Sequence, residues 1–309
     1  MITVYKNTES GLAVLDKPTS GCWIHVIDPT PEEIAQLQGM GIPQDYLTYP
    51  LDVDERARTE RENGELLIVL RVPFYQGESA DVPYATIPLG IVLTNDYLVT
   101  VCKRDNDILN EFTSGRVKGL SVGKRLRFIL RLLLATAHKY LTYLREINKV
   151  VDALEDQLQL STRNREVLEL LKYQKSLTYF TTALKSNELM MERLQRSQLF
   201  KTFPEDEDLL EDVLTENQQA IEMVNITNNI LSSMMDAFAS IISNNLNSVM
   251  KILASITIVL SLPIMISSFY GMNVDLPLQG YPYAFLVTLG MSFAIALVAV
   301  YMFWKRDWF

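Results

Sequence analysis

The chain has 309 residues, 48% apolar and 21% charged, which is the composition of a folded protein and not of a disordered one. Its net charge of −9 excludes the basic footprint that a nucleic-acid binder needs. Two cysteines, Cys22 and Cys102, and two histidines, His25 and His138, stand at no metal-ligand spacing and build neither a disulfide framework nor a zinc site.

Residues 1–118 read as a mixed α/β domain. The runs MITVY, CWIHVI, LLIVLRV, IPLGIVL and YLVTVCK are apolar, β-branched and of strand length. Thr30-Pro31-Glu32-Glu33 predicts a helix start: Thr30 caps, Pro31 suits the first helical position and Glu33 closes a capping box. Pro43 opens a second short helix. Asn63-Gly64 predicts a hairpin between 58–62 and 65–72, and Asn95-Asp96 is a weaker signal of the same kind. No glycine-rich phosphate loop and no nucleophile elbow occurs here. Asp45, Asp52, Asp54 and Glu55 read as a surface loop, so nothing marks an enzyme.

Residues 119–203 read as long helices. There is no Gly or Pro from Lys124 to Phe203, and residues that favour helices abound. Leu144, Ile147, Val151, Leu154 and Leu158 recur in steps of three and four. The pattern predicts helices over 121–159 and 164–198, with a turn at Ser161-Thr162-Arg163-Asn164. Arg125, Arg127 and Arg131 read as a solvated face, with pairing to the acidic segment downstream as the alternative.

Residues 204–251 form that acidic segment, read as a stalk helix. Glu205, Asp206, Glu207, Asp208, Glu211, Asp212, Glu216, Glu222 and Asp236 are accompanied by no Lys or Arg between 202 and 250. The whole net charge therefore sits in this stretch. The leading acids also suit a helix N-terminus, whose dipole favours carboxylates. No Gly or Pro interrupts Glu205 to Leu262. One continuous helix over 206–270 would be about 100 Å long.

Two spans close the chain. Ile252–Val274 is free of charge for 23 residues and Leu276–Trp304 for 29, where a membrane helix needs about 20. The reading is a first span at 252–273, an outer loop at 274–282, a second span at 283–304 and a tail at 305–309. Tyr281, Tyr283, Tyr301 and Trp304 suit the interfacial belts. Lys251, Lys305 and Arg306 flank the spans on one side and Asp275 lies on the other, which predicts both termini in the cytoplasm of a cell inner or plasma membrane. MITVYKNTES has no apolar core of the kind a signal peptide carries.

On this helix Asp236 and Asn247 fall within about 20° of one face, with Ser240, Ser243 and Asn244 nearby. The stripe continues through Ala254, Ile258, Ser261 and Met265. Several copies around an axis would turn it into rings lining a pore, and two spans per chain enclose an aqueous path only in a homo-oligomer. Small residues at this spacing equally suit tight helix packing.

Tyr270-Gly271-Met272-Asn273 stands at the outer end of the first span. With this motif, an α/β domain, long helices, a stalk and two C-terminal spans, the chain resembles the CorA family of magnesium channels and transporters along its whole length. The resemblance implies a funnel-shaped homopentamer that carries hydrated Mg²⁺ inward and is gated by cytoplasmic Mg²⁺, with no organic cofactor. Gly271, Met272 and Asn273 would form the selectivity mouth. Asp236, Asn247 and Ser261 would line the pore, with Met250 and Leu253 as a hydrophobic gate. Asp212 would hold a regulatory Mg²⁺ between subunits.

Departures from the family pattern leave parts of this open. Gln76 stands where the regulatory site's second carboxylate is expected, so Glu78 or Asp81 is the candidate partner of Asp212. The outer loop VDLPLQGYP lacks the Met-Pro-Glu-Leu sequence common in the family, and KRDWF is less basic than some tails. Ser261 takes the place of a pore methionine in some relatives. Co²⁺, Ni²⁺ and Zn²⁺ remain alternative cargoes, although a zinc-transporting branch carries GIN rather than GMN. Proton coupling lacks a membrane-embedded carboxylate. The reading from a different class is a non-conducting anchor or signalling protein.

Overall fold

The computed structural model describes all residues except 9–10, 118, 161–163, 201–202, 279, 307 and 309, and it leaves out the side chains of 157–166. The predicted turn at Ser161–Arg163 therefore lies outside the described residues. The chain forms two compact units, 1–233 and 234–309.

The first unit is built on a seven-stranded sheet. Its strands are β1 (Ile2–Thr8), β2 (Gly11–Leu15), β3 (Trp23–Ile27), β4 (Arg58–Glu62), β5 (Glu65–Tyr75), β6 (Tyr84–Leu93) and β7 (Leu98–Cys102), in the order β2-β1-β3-β7-β6-β5-β4. All pairs are antiparallel except β3 with β7. β2 was not apparent in the sequence; it is an edge strand whose residues are half-buried or exposed, so its apolar signal is weak. The β4–β5 hairpin pairs Glu62 with Glu65. Asn63 and Gly64 both have positive φ, 51° and 90°, the geometry a two-residue turn of this hand requires.

The central strands are buried on both faces, so alternate residues feed two cores. Leu66, Ile68, Leu70 and Val72 enter one core, with Trp23, Phe112, Phe128 and Met190. Leu67 and Val69 enter the other, with Val4, Ile24, Leu37, Tyr46 and Leu47. The second core is covered by α1 (Pro31–Gln38) and α2 (Gln44–Thr48). Thr30 and Glu33 make the reciprocal capping box over α1. At the sheet centre Gly90 admits Pro50: a Cβ there would overlap the Pro50 ring.

The first core is covered by α3 (Asp107–Thr113), α4 (Arg125–Leu160), α5 (Asn164–Arg196) and the start of α6 (Pro204–Tyr270). On α6, Leu210, Val213, Asn217, Ala220, Val224, Thr227 and Leu231 are buried, a single stripe at helical spacing. The buried Asn217 amide donates to the Leu184 carbonyl at 3.4 Å, which fixes α5 against α6.

The expected solvated face of arginines is not what forms. Arg127 pairs with Asp206 at 2.6 Å and Glu205 at 2.7 Å, and its side chain is only 19% exposed. Arg125 donates to the carbonyls of Thr94 and Asn95, and Arg131 Nε is buried. The first α6 turn lies beside α4, so the acids that suit the helix dipole also neutralise a half-buried guanidinium.

The second unit holds the C-terminal part of α6 and α7 (Ala284–Lys305). α6 is one helix of 67 residues and continues through Pro263. Pro263 can donate no bond to the Val259 carbonyl, a loss that membrane helices tolerate where neighbours help. The seam between the two helices follows steps of three and four. On α6 it runs through Ser255, Val259, Leu262, Ile266 and Tyr270, and on α7 through Thr288, Ser292, Ala296, Ala299 and Phe303, all buried or half-buried.

Candidate ion-conduction site

Both helices of the second unit are long and apolar enough to cross a membrane. Their exposed surface is almost wholly hydrocarbon: Leu260, Ile264, Phe269, Phe285, Leu286, Phe293, Leu297 and Trp304 are all more than half exposed. In water this would be an aggregating surface; in lipid it is solvated. Several hydroxyls in the spans, those of Ser255, Thr257, Ser261, Thr288 and Ser292, donate back to their own helix. Thr257 donates to Leu253 O at 2.8 Å and Ser261 to Thr257 O at 2.6 Å. Ser261 has therefore spent its hydrogen and presents oxygen lone pairs outward.

Residues 239–254 are exposed on every side of the helix. This stretch contains Asn247, Met250 and Leu253, and Asp236 just before it is exposed as well. A helix carrying Ile241, Ile242, Leu246, Val249, Met250, Ile252 and Leu253 around its circumference has no stable place alone in water.

α6 ends at Tyr270. Gly271 N–H donates to Ser267 O at 3.0 Å and Met272 N–H to Phe269 O at 3.2 Å, so the last turn is closed by the motif's own backbone. Tyr270 Oη lies 3.2 Å from the Pro277 carbonyl and pins the returning loop. Gly271 has no positive φ, and a Cβ there would meet Ser267 O at 3.4 Å and Ser268 O at 3.6 Å, which is ordinary contact. Nothing among the described residues demands glycine at this place. Met272 and Asn273 are exposed, and the Asn273 amide makes no hydrogen bond among the described residues. It does not serve as a helix cap.

The regulatory candidates are separated within one chain. Asp212 is exposed on α6. Gln76, Glu78 and Asp81 are exposed in the β5–β6 connection, closed by Gln76 N–H to Pro83 O at 2.8 Å. The connection ends against α5 near Tyr173: Tyr84 N–H donates to Ser176 Oγ at 3.2 Å and the Tyr84 and Tyr173 rings lie 6.5 Å apart. α5 and α6 run antiparallel, with Asn217 level with Leu184, so Asp212 stands level with residue 189. Sixteen residues along α5 is roughly 24 Å. Among the described residues no three His, Cys, Asp or Glu side chains gather to hold a metal.

An α/β domain whose last helix runs on into a membrane span, followed by a short loop and a second span, defines a class of two-span membrane transport proteins rather than enzymes. Within that class the chain belongs to the CorA-like Mg²⁺ transporter family, whose sequence model matches residues 19–306. It is 30% identical over 293 residues to the cobalt/magnesium transport protein CorA of Methanocaldococcus jannaschii, covering 93% of this chain and 90% of that protein. To the cobalt/magnesium transport protein CorA of Thermotoga maritima it is 25% identical over 320 residues, covering 98% and 87%. The complete structure of the CorA magnesium transporter from Methanocaldococcus jannaschii matches with a TM-score of 0.86 at 26% identity, covering 100% of this chain and 99% of that one.

Proposed function

We propose that several copies of this chain, five by the family resemblance, form a membrane channel that admits hydrated Mg²⁺ down its electrochemical gradient. The observation that carries this reading is the run 239–254, exposed on all sides and leading into a span followed by an exposed Asn273 whose amide makes no hydrogen bond among the described residues. Copies packed about an axis would cover the apolar sides of that run and leave Asp236, Asn247 and Ser261 facing the centre. Met250 and Leu253 would narrow the path and close it by excluding water.

The chemistry of the mouth suits a hydrated ion. Mg²⁺ gives up its water reluctantly. Amide oxygens of Asn273 accept hydrogen bonds from that water without stripping it, whereas a carboxylate ring would bind the ion itself and slow its release. Ser261, with its hydrogen bonded back to the helix, offers the same kind of acceptor deeper in the span. A divalent ion moving inward gains roughly 4.6 kcal/mol per 100 mV, so no nucleotide is needed. The acidic stalk concentrates cations at the cytoplasmic side, with both termini there.

Regulation by cytoplasmic Mg²⁺ would use Asp212. Since Glu78 and Asp81 lie far from Asp212 in the same chain, the second ligand would come from a neighbouring copy. Bound Mg²⁺ would then hold the copies together, and its loss would leave like charges facing each other.

Liposome uptake tests the reading. Wild type should take up Mg²⁺, and Asn273→Ala should lower uptake by at least about tenfold, roughly 1.4 kcal/mol in the barrier. Vesicles that stay tight to every divalent ion would defeat it and favour a non-conducting anchor. Co²⁺ is the second cargo to measure, because the relatives from Methanocaldococcus jannaschii and Thermotoga maritima are cobalt/magnesium transport proteins.

A further inference from the structure

The hairpin of the second unit has a register that can be continued past its groove. Gly271 and Phe285, Pro263 and Ser292, and Val259 and Ala296 line one cavity of about 540 Å³, so the residue numbers on the two helices run in opposite senses. Carried toward the other end, that register sets the buried Ser255 level with the buried Ala299. One turn further it sets Lys251 level with Trp304. Lys251 lies four residues before Ser255, on the face that carries the seam, and Ser255 Oγ donates to its carbonyl at 2.7 Å. Lys251 on one helix and Lys305 and Arg306 at the close of the other thus stand at about the same level, at the end of the hairpin remote from Asn273.

All three cations are exposed, and none forms an ion pair among the described residues. Aromatic residues neighbour Lys305 and Arg306 in the chain. Trp304 is 69% exposed and its ring lies 6.4 Å from that of Tyr301. After α7 ends, the chain folds back: Trp308 N–H donates to Phe303 O at 3.1 Å, and the Trp308 ring stacks on Phe303 at 5.2 Å. Basic groups at one level of two apolar helices, with tryptophans close to two of them in the chain, are the pattern expected at the level of lipid headgroups.

We propose that this end of the hairpin binds the phosphodiester headgroup of an anionic membrane lipid. Arg306 offers a planar fork to two phosphate oxygens, and Lys251 and Lys305 add point charges from either helix. Trp304 and Trp308 set the depth, their rings against acyl chains and their N–H edges toward the headgroups. A soluble phosphate shares the charge chemistry but gains nothing from the indoles. The inference needs only that the two helices span a membrane and does not depend on ion conduction.

The test uses the full-length protein reconstituted with phosphatidylcholine and phosphatidylglycerol in equal amounts, extracted in mild detergent, and read by native mass spectrometry for retained lipid. Wild type should retain phosphatidylglycerol over phosphatidylcholine by on the order of tenfold. The triple variant K251Q/K305Q/R306Q should lose that preference, and the charge-preserving K251R/K305R should keep it. Equal retention of both lipids by wild type, or an undiminished preference in the triple variant, overturns the proposal. Stripping of phosphatidylglycerol by millimolar inorganic phosphate would assign the site to a soluble anion and overturn the lipid assignment. If the triple variant does not fold, K251Q alone decides: a drop of several-fold is expected, and no drop refutes the site.

Discussion

Asn187 on α5 makes a double hydrogen bond to the backbone of Arg71 on β5: its Oδ1 accepts from Arg71 N–H at 2.9 Å and its Nδ2 donates to Arg71 O at 2.8 Å. Asn187 is fully buried. β4 pairs with β5 only as far as Arg58 opposite Val69, so Arg71, two residues on, has no strand partner on that side. The side-chain amide therefore takes the place of the strand that has run out, and Tyr140 Oη adds a second bond to the same carbonyl at 3.0 Å.

Replacing Asn187 by Leu should cost about 2 kcal/mol, because a buried backbone donor is orphaned and the acceptor loses one partner. Thermal unfolding of the full-length protein in detergent measures it. Asn187→Asp should do comparable harm, since the carboxylate accepts but cannot donate. A melting temperature unchanged by both substitutions refutes the assignment.

Gly90→Ala should destabilise by about 1–3 kcal/mol, the usual cost of overpacking a rigid core. The atoms it meets belong to the Pro50 ring, which cannot rotate away. The variant Gly90→Ala/Pro50→Ala should recover part of the loss in the same unfolding assay. Pro50 is thus the specific obstacle, and failure of the double variant to recover would point elsewhere.

His25 gives the first unit an acid limit. Burial, first of all, lowers its imidazole from 6.5 to about 4; its Nδ1 lies 3.1 Å from Thr100 Oγ1, which also accepts the Trp23 indole N–H at 2.9 Å. The unfolded chain takes up its proton near pH 6.5 and the folded chain does not until about pH 4. Stability from this residue is thus present above pH 6.5 and is lost as the pH falls from there to about 4, by roughly 3 kcal/mol in all. A His25→Asn variant should show a flatter stability profile over that window, measured as the difference from wild type.

Gly271→Ala should separate folding from transport. A Cβ there meets only ordinary contacts within the chain, so the melting temperature should move by little. Mg²⁺ uptake should nevertheless fall if, as proposed, neighbouring copies or the hydrated ion approach the motif and a methyl group there crowds them. Normal uptake by Gly271→Ala would remove the backbone at this position from the mouth.

Asp212→Ala tests the regulatory proposal. Flux measured at high and low internal Mg²⁺ should lose its inhibition in the variant, and Glu78→Ala and Asp81→Ala identify the partner by the same loss. Equal inhibition in wild type and Asp212→Ala removes Asp212 from the sensor.

Much of the molecule is written in local patterns. The absence of Gly and Pro from 124–203 and 205–262 marks α4, α5 and α6, because helix hydrogen bonds close within four residues and need no distant partner. Charge-free runs of 23 and 29 residues mark the spans, since the membrane's thickness sets the length. Asn63-Gly64 and the Thr30–Glu33 box are equally local, and the motif at 270–273 is contiguous. Tertiary structure alone decided what meets at long range. The parallel pairing of β3 with β7 joins residues some 75 apart, Asn187 reaches Arg71 across 116, and Arg127 finds Asp206 across 79. No periodicity encodes such partners. A guanidinium has the same local pattern whether it faces water or a buried carboxylate, and only the packing of α4 against α6 selects between them.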